Sequence, residues 1–373
     1  MLRFSTEHLR KVFAEEDKYT SFKNLIFDLN RGNDIYTYDE DGNKKAISKA
    51  EANKAVQKVI FEILELDETS AKSKKARRRA YEKHHVELFE VIEEEIEFKI
   101  EEGFKDSEWF NEFVEMKNLA LGDENEFWTD DKVYLEVAKV AGDHHDITMQ
   151  TLGEGESYRV PTSRFAVKVG ADIDLVTTGR LDFTKLTDKI AEAYIMKVQA
   201  MMYDEVMDAA DKLPNNSQFK KTGAIATATK EVFDTLLEDV AIANGAEVVI
   251  MGTKAALKKL TVFADVDWAS DDQKKQINTL GRLGSYETTT LIEIPQRFAV
   301  GDTGTKLVAS DRLLIMPKTA EKFVKFVDVG ETEIREVNEK GAYADDFQSY
   351  EVQREMGVAT QIGQYFGAYY IEG

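Results

Sequence analysis

The chain has 373 residues, 43% of them hydrophobic and 32% charged, and a net charge of −21. That is enough apolar material for a sizeable core and two or three structural units, while the acidic balance argues against a surface that coats nucleic acid uniformly and leaves room for a container of DNA. The absence of cysteine excludes disulfides, thiol nucleophiles, zinc–thiolate sites and iron–sulfur clusters, and with no run of 18 apolar residues and no secretory leader pattern, no membrane partner is expected.

Residues 1–120 read as helical and highly charged. Ser48-Lys49-Ala50-Glu51 has the pattern of a capping box, followed by Val56, Ile60 and Ile63 at helical spacing. The only dense basic run, Lys72, Lys74, Lys75, Arg77, Arg78 and Arg79, opens a long helix. In it Phe89, Ile92, Ile96 and Ile100 form one stripe, and Glu90, Glu93, Glu94 and Glu97 cover the rest. Gly103 is expected to end this helix, and a short aromatic helix with Trp109, Phe110 and Phe113 follows.

Over 131–176 the period changes to two. Val133, Leu135 and Val137, then Phe165, Val167 and Val169, alternate with polar neighbours such as Lys132, Glu136, Arg164 and Lys168, on either side of a polar turn at Leu152–Ser157. The spacing predicts a long two-stranded hairpin. Its apolar surface is too small to stand alone, which makes it an arm reaching toward a neighbouring subunit.

Residues 181–211 predict the longest helix, capped by Asp182 or Thr184, with a stripe of Leu186, Ile190, Tyr194, Val198, Met201 and Met202. It would be about 45 Å long and is stopped near Pro214. From 222 to 330 the types mix. A helix over 227–243 ends near Gly245, a buried strand covers Val248 to Met251, and Thr253 caps a short helix through Leu260. A further helix is expected from Ser270, strands near 288–294, 312–316 and 322–329, and closing strands within 348–371.

Candidate chemistry is sparse. Asp143-His144-His145-Asp146 offers zinc or iron ligands, yet adjacent residues of a strand face opposite sides, so a polar hairpin surface is the expected role. His84 and His85 stand about 100° apart on a helix, a poor chelate. Gly301-Asp302-Thr303-Gly304-Thr305-Lys306 lacks the spacing of a phosphate loop and reads as a turn between strands. Neither a nucleophile elbow nor a dinucleotide fingerprint occurs. With 70 acidic residues, no carboxylate pair stands out for acid–base work. Met196, Met201, Met202 and Met207 read as packing. The basic run Lys72–Arg79 is a candidate for salt-sensitive phosphate contact or for pairing with the acidic surface of another copy. No catalytic, cofactor-binding or metal residue is assigned and no cofactor is expected.

The order of elements resembles the HK97-like fold of tailed-phage major capsid proteins. Tyr158-Arg159-Val160-Pro161-Thr162-Ser163 through Val167-Lys168-Val169 resembles the end of an E-loop entering the P-domain. Leu181–Ala210 resembles the spine helix. Glu247-Val248-Val249-Ile250-Met251-Gly252-Thr253-Lys254-Ala255-Ala256 resembles an A-domain strand and helix, and Tyr350–Val358 with Tyr365-Phe366-Gly367 the closing strands. The likeness covers about residues 100–373. It implies an α+β chain with an N-terminal helical arm at 1–125, an E-loop hairpin at 126–176, a P-domain at 177–221 and 331–373, and an A-domain at 222–330.

The resemblance also implies a non-enzymatic subunit. It would self-assemble into pentamers and hexamers of an icosahedral shell enclosing phage double-stranded DNA, be assembled in the host cytoplasm and be located in the virion capsid. Expected partners are other copies, a portal, scaffold or decoration proteins, and packaged DNA through weak non-specific contact. Residues 1–100 are expected to be a retained arm and not a cleaved scaffold. Two rival readings are an encapsulin-type compartment shell and a metal-dependent hydrolase using Asp143, His144, His145 and Asp146.

Overall fold

The computed structural model describes residues 4–14, 16–31, 35–38, 44–67, 69–105, 108–120, 123–129, 137, 149–151, 155–172, 183–213, 217–263, 281–299, 302–319, 321–337, 347–360 and 364–372. In chain order the helices and strands begin with α1 (Glu7–Val12), α2 (Glu16–Arg31), β1 (Tyr36–Tyr38), β2 (Lys44–Ala46), α3 (Lys49–Ile63), α4 (Lys74–Lys105) and α5 (Glu108–Phe113). There follow β3 (Val114–Leu119), β4 (Phe127–Thr129), β5 (Glu156–Tyr158), β6 (Ser163–Asp172), α6 (Phe183–Lys212), β7 (Lys220–Gly223), α7 (Lys230–Asn244), β8 (Val248–Gly252) and α8 (Lys254–Lys259). The chain closes with β9 (Ser285–Tyr286), β10 (Thr289–Glu293), β11 (Phe298–Ala299), β12 (Asp302–Lys306), β13 (Arg312–Pro317), β14 (Val324–Val337), β15 (Phe347–Thr360) and β16 (Gly367–Ile371). Two compact units share these elements: Met1–Ser107, Ser163–Gln199 and Val329–Met356 form the first, and Glu108–Thr162, Ala200–Asp328 and Gly357–Gly373 the second.

In the first unit the N-terminal helices fold by their predicted stripes. Ser48 caps α3 reciprocally with Glu51, the Ser48 N–H donating to Glu51 Oε2 at 2.9 Å and the Glu51 N–H to Ser48 Oγ at 3.4 Å. This satisfies two donors that a helix start leaves without partners. The buried side of α3 is Ala52, Val56, Ile60 and Ile63, and α4 buries Phe89, Ile92, Ile96 and Ile100.

Two expectations are corrected in α4. It does not stop at Gly103 but runs to Lys105. Gly103 serves close packing instead, since a Cβ there would lie 2.5 Å from Ile195 Cδ1 on α6. At 32 residues α4 also exceeds the 30 residues of α6, since it continues past Gly103, and it is kinked at His84 (φ −123°, ψ 20°). The hairpin of β1 and β2, with Tyr36 opposite Ala46, interrupts a region read as helical throughout.

Strands β14, β15 and β6 lie side by side in this unit. The strand predicted around Phe165–Val169 exists as β6 and pairs with β15; the partner expected near Val133–Val137 lies, Val137 aside, outside the described residues. Strands β6 and β15 run antiparallel from Phe347 opposite Asp172 to Met356 opposite Ser163. Tyr194 of α6 fixes this pair from one face, its hydroxyl donating to the Val352 carbonyl at 2.6 Å.

The second unit is built on a mixed sheet in the order β7-β16-β13-β8-β10-β9. Val249–Met251 and Leu313–Met316 are apolar on both faces and almost wholly buried, the pattern of strands covered on both sides. Phe233, Leu236 and Val240 of α7 and Leu257 of α8 pack with Ile250, Leu291, Leu313, Ile315 and Tyr369 in one core. Gly245 ends α7 as predicted, at φ +59°, a conformation that favours glycine. Thr253 caps α8 by accepting the Ala256 N–H at 3.3 Å. The helix expected from Ser270 lies outside the described residues.

Candidate functional site

The sequence-derived candidates do not converge. The Asp143–Asp146 quartet lies outside the described residues, and among the described residues no group of three or more His, Asp or Glu side chains is placed to hold a metal ion. Of Gly301–Lys306 the structure describes Asp302–Lys306, which form β12 and pair with β11. Asp302 closes its turn by accepting the Gly304 N–H at 2.8 Å and the Thr305 hydroxyl at 2.6 Å. Met202 is fully buried, and Met196, Met201 and Met207 are half-buried along α6, as packing residues should be.

His84 and His85 separate at the α4 kink. His84 is buried against His8 of α1 at 4.8 Å between ring centroids. Its Nε2 lies 3.2 Å from Glu65 and its Nδ1 3.6 Å from Glu87, ion-pair distances without hydrogen-bond geometry. His85 faces Tyr81 and Phe89. This cluster fixes α1 to the end of α3 and to α4, a structural role.

By their spacing alone, the glutamates of α4 only cover the faces beside its apolar stripe. In the structure Glu93 accepts the Ile334 N–H and Glu97 the Thr332 N–H of β14, each at 2.6 Å, and Glu90 accepts the Ser5 N–H. A helix thus satisfies strand amides with carboxylates, an arrangement that no helical periodicity encodes. These residues, with Glu94, Glu331, Phe89 and His85, line a cavity of about 380 Å³. Arg354, buried beside it, donates to Thr332 Oγ1 at 2.7 Å and stands 4.0 Å from Glu97.

Burial pushes the Glu93 carboxyl up to about 7, Glu90, Glu97 and Glu333 adding repulsion, against the Ile334 N–H that favours its charge. Burial also raises Glu95, opposed by Lys99 and Lys23. A carboxyl held above its usual 4.5 keeps its proton more tightly when folded, so from about pH 4.5 to 7 its stabilising contribution is lost as pH rises. Glu93→Gln keeps the acceptor and removes this titration. Between pH 5 and 7.5 the variant should lose fewer degrees of Tm than the parent protein, with a residual slope from Glu95. Equal losses would contradict the assignment.

The second unit holds the described part of the predicted arm. β4 and β5 pair antiparallel, with Phe127 opposite Tyr158 and Thr129 opposite Glu156. Phe127 is buried and stacks on Tyr158 at 5.8 Å, with Lys117 Nζ 4.0 Å above its ring. Lys325 of β14, also buried, pairs with Glu115 of β3 beside it. From this anchored stem large apolar side chains face solvent: Trp128 is 60% exposed, Val137 95% and Met149 83%. In a subunit that acts alone such side chains carry a desolvation gain that nothing collects.

A family profile described as "YonB: SPbeta prophage-derived putative capsid protein YonB" matches residues 21–370. Among solved structures, the mature capsid of bacteriophage PhiM1 is similar at 8% identity and a TM-score of 0.50, over 71% of this chain and 87% of that one. The capsid of the empty GTA particle is similar at 12% identity and a TM-score of 0.46, over 70% and 89%. A structure described as "Gordonia phage Cozz" is similar at 14% identity and a TM-score of 0.43, over 70% and 85%. No curated protein matches the chain.

Proposed function

Because the chain belongs to the SPbeta prophage-derived capsid protein family and has the HK97-like fold of phage capsids, we propose that it builds its shell through an arm rooted at β4 and β5. The chain is a phage major capsid protein, a structural subunit that associates with copies of itself. In the proposed mechanism copies close into pentamers and hexamers of an icosahedral shell around double-stranded DNA, without catalysis. The division follows the capsid pattern: N-terminal helices to residue 125, E-loop at 126–176, P-domain at 177–221 and 331–373, A-domain at 222–330. Assembly takes place in the host cytoplasm, with a portal and scaffold or decoration proteins as further partners.

The observation that carries this reading is the anchored β4–β5 stem with Trp128, Val137 and Met149 exposed around it. Burying those side chains against a neighbour yields association free energy at about 25 cal/mol per Å² of apolar surface, and the subunit's own core does not need them. Trp128→Ser should leave the thermal melt of the subunit within a degree or two of the parent. It should cut the yield of fast-sedimenting particles at least about tenfold, the equivalent of about 1.4 kcal/mol per contact. Parent-like particle yield would remove the arm's role.

A further inference from the structure

The start and the middle of α4 carry charge in opposite sense, and neither is neutralised by the other within one chain. Lys72, Lys74, Lys75, Arg78 and Arg79 are exposed at its start, where the positive end of the helix dipole makes clustered cations unfavourable. Its first turn has no acidic residue. Arg78 pairs with Glu82 at 3.2 Å. Lys72, Lys75 and Arg79 have no ion-pair partner among the described residues, in a chain where 70 acidic residues face 49 basic ones. Further along, the concave cavity lined by Glu90, Glu93, Glu94, Glu97 and Glu331 contains no Lys or Arg in its lining. At 1.5 Å per residue Arg79 is about 16 Å from Glu90 along the helix and Lys75 about 28 Å from Glu94, beyond the reach of a Lys or Arg side chain.

We propose that the basic run Lys72–Arg79 of one copy docks at the acidic cavity of a neighbouring copy, with Lys72, Lys75 and Arg79 set against Glu90, Glu94 and Glu331. The contact rests on the shell reading above and adds to it a second interface. It is heterologous: each copy gives its run to one neighbour and its cavity to another, the arrangement that closes rings. Charge complementarity chooses the occupant. The cavity needs a compact cationic segment, the run needs a concave anionic surface, and every copy supplies both. Charged rims of this kind act mainly on encounter rate and register and weaken with salt.

The test compares three full-length chains, each checked for folding by circular dichroism and thermal melting. K72E/K75E/R79E and E94K/E331K should each form at least tenfold fewer shells in sedimentation than the parent. The chain carrying all five reversals should regain part of its shell formation, because the reversed positions 72, 75 and 79 then face the reversed positions 94 and 331 with opposite charge. Parent-like shell yield from K72E/K75E/R79E overturns the proposal; if those shells also lack co-purifying nucleic acid, the run binds nucleic acid instead. Failure of the five-fold reversal to restore shells, when folded, overturns it as well. Should a reversed chain fail to fold, K72Q/K75Q/R79Q decides: a tenfold loss is expected, and parent-like yield is contrary. A parent chain that forms no shells would fail the shell reading itself, before this interface is reached.

Discussion

Excision of residues 131–153, with a short Gly-Ser bridge joining β4 to β5, is expected to yield a soluble, folded subunit that forms no closed shells. The described residues of the excised segment include Val137 and Met149, 95% and 83% exposed in the subunit, and neither belongs to a core. Phe127 on Tyr158 and Lys325 with Glu115 hold the stem independently. Each intersubunit contact loses its arm. A loss of about 3 kcal/mol per contact lowers pairwise association more than about a hundredfold, and a shell compounds that loss over every subunit. Circular dichroism with an unchanged melt, together with electron micrographs empty of particles, is the expected pair of results. Normal shells from the excised chain would show that the arm is dispensable.

The second large effect concerns the fold of the first unit. Arg354 is 5% exposed and stands 4.0 Å from Glu97, which accepts the Thr332 N–H beside Glu90 and Glu93. Arg354→Met fills the volume and removes the cation that stands 4.0 Å from Glu97. Removing one member of a buried pair costs about 3–5 kcal/mol, because the surviving charge stays desolvated. Urea denaturation at pH 7.5 should show a loss near the lower end of that range, since Glu97 keeps its backbone donor. Arg354→Met with Glu97→Gln should recover part of it. A loss below about 1 kcal/mol would mean that Arg354 does not support the carboxylate row.

Much of the architecture was legible because it rests on local rules. The Ser48–Glu51 box, the stripes of α3, α4 and α6, the glycine stop at 245 and the Thr253 cap are each written within one or two helical turns, and the structure realises them. Non-local features were hidden. Gly103 looked like a helix end because its reason for being glycine, Ile195, lies 92 residues away. The β6–β15 pairing joins segments about 180 residues apart, and alternation in one strand says nothing of which partner it takes. The Glu93 and Glu97 contacts with β14 were invisible for the same reason: a glutamate on a helix carries the same periodicity whether it faces water or a strand amide. The candidate site was the least legible, since on the proposed reading it consists of exposed side chains such as Trp128, whose meaning depends on a neighbour.

Electron cryomicroscopy of the full-length chain expressed alone tests the central claim most directly. The account predicts closed particles whose walls are built of fivefold and sixfold rings of this subunit, with the segment between β4 and β5 lying on an adjacent copy. A monodisperse species of one or two subunits under all conditions of salt and concentration would contradict it.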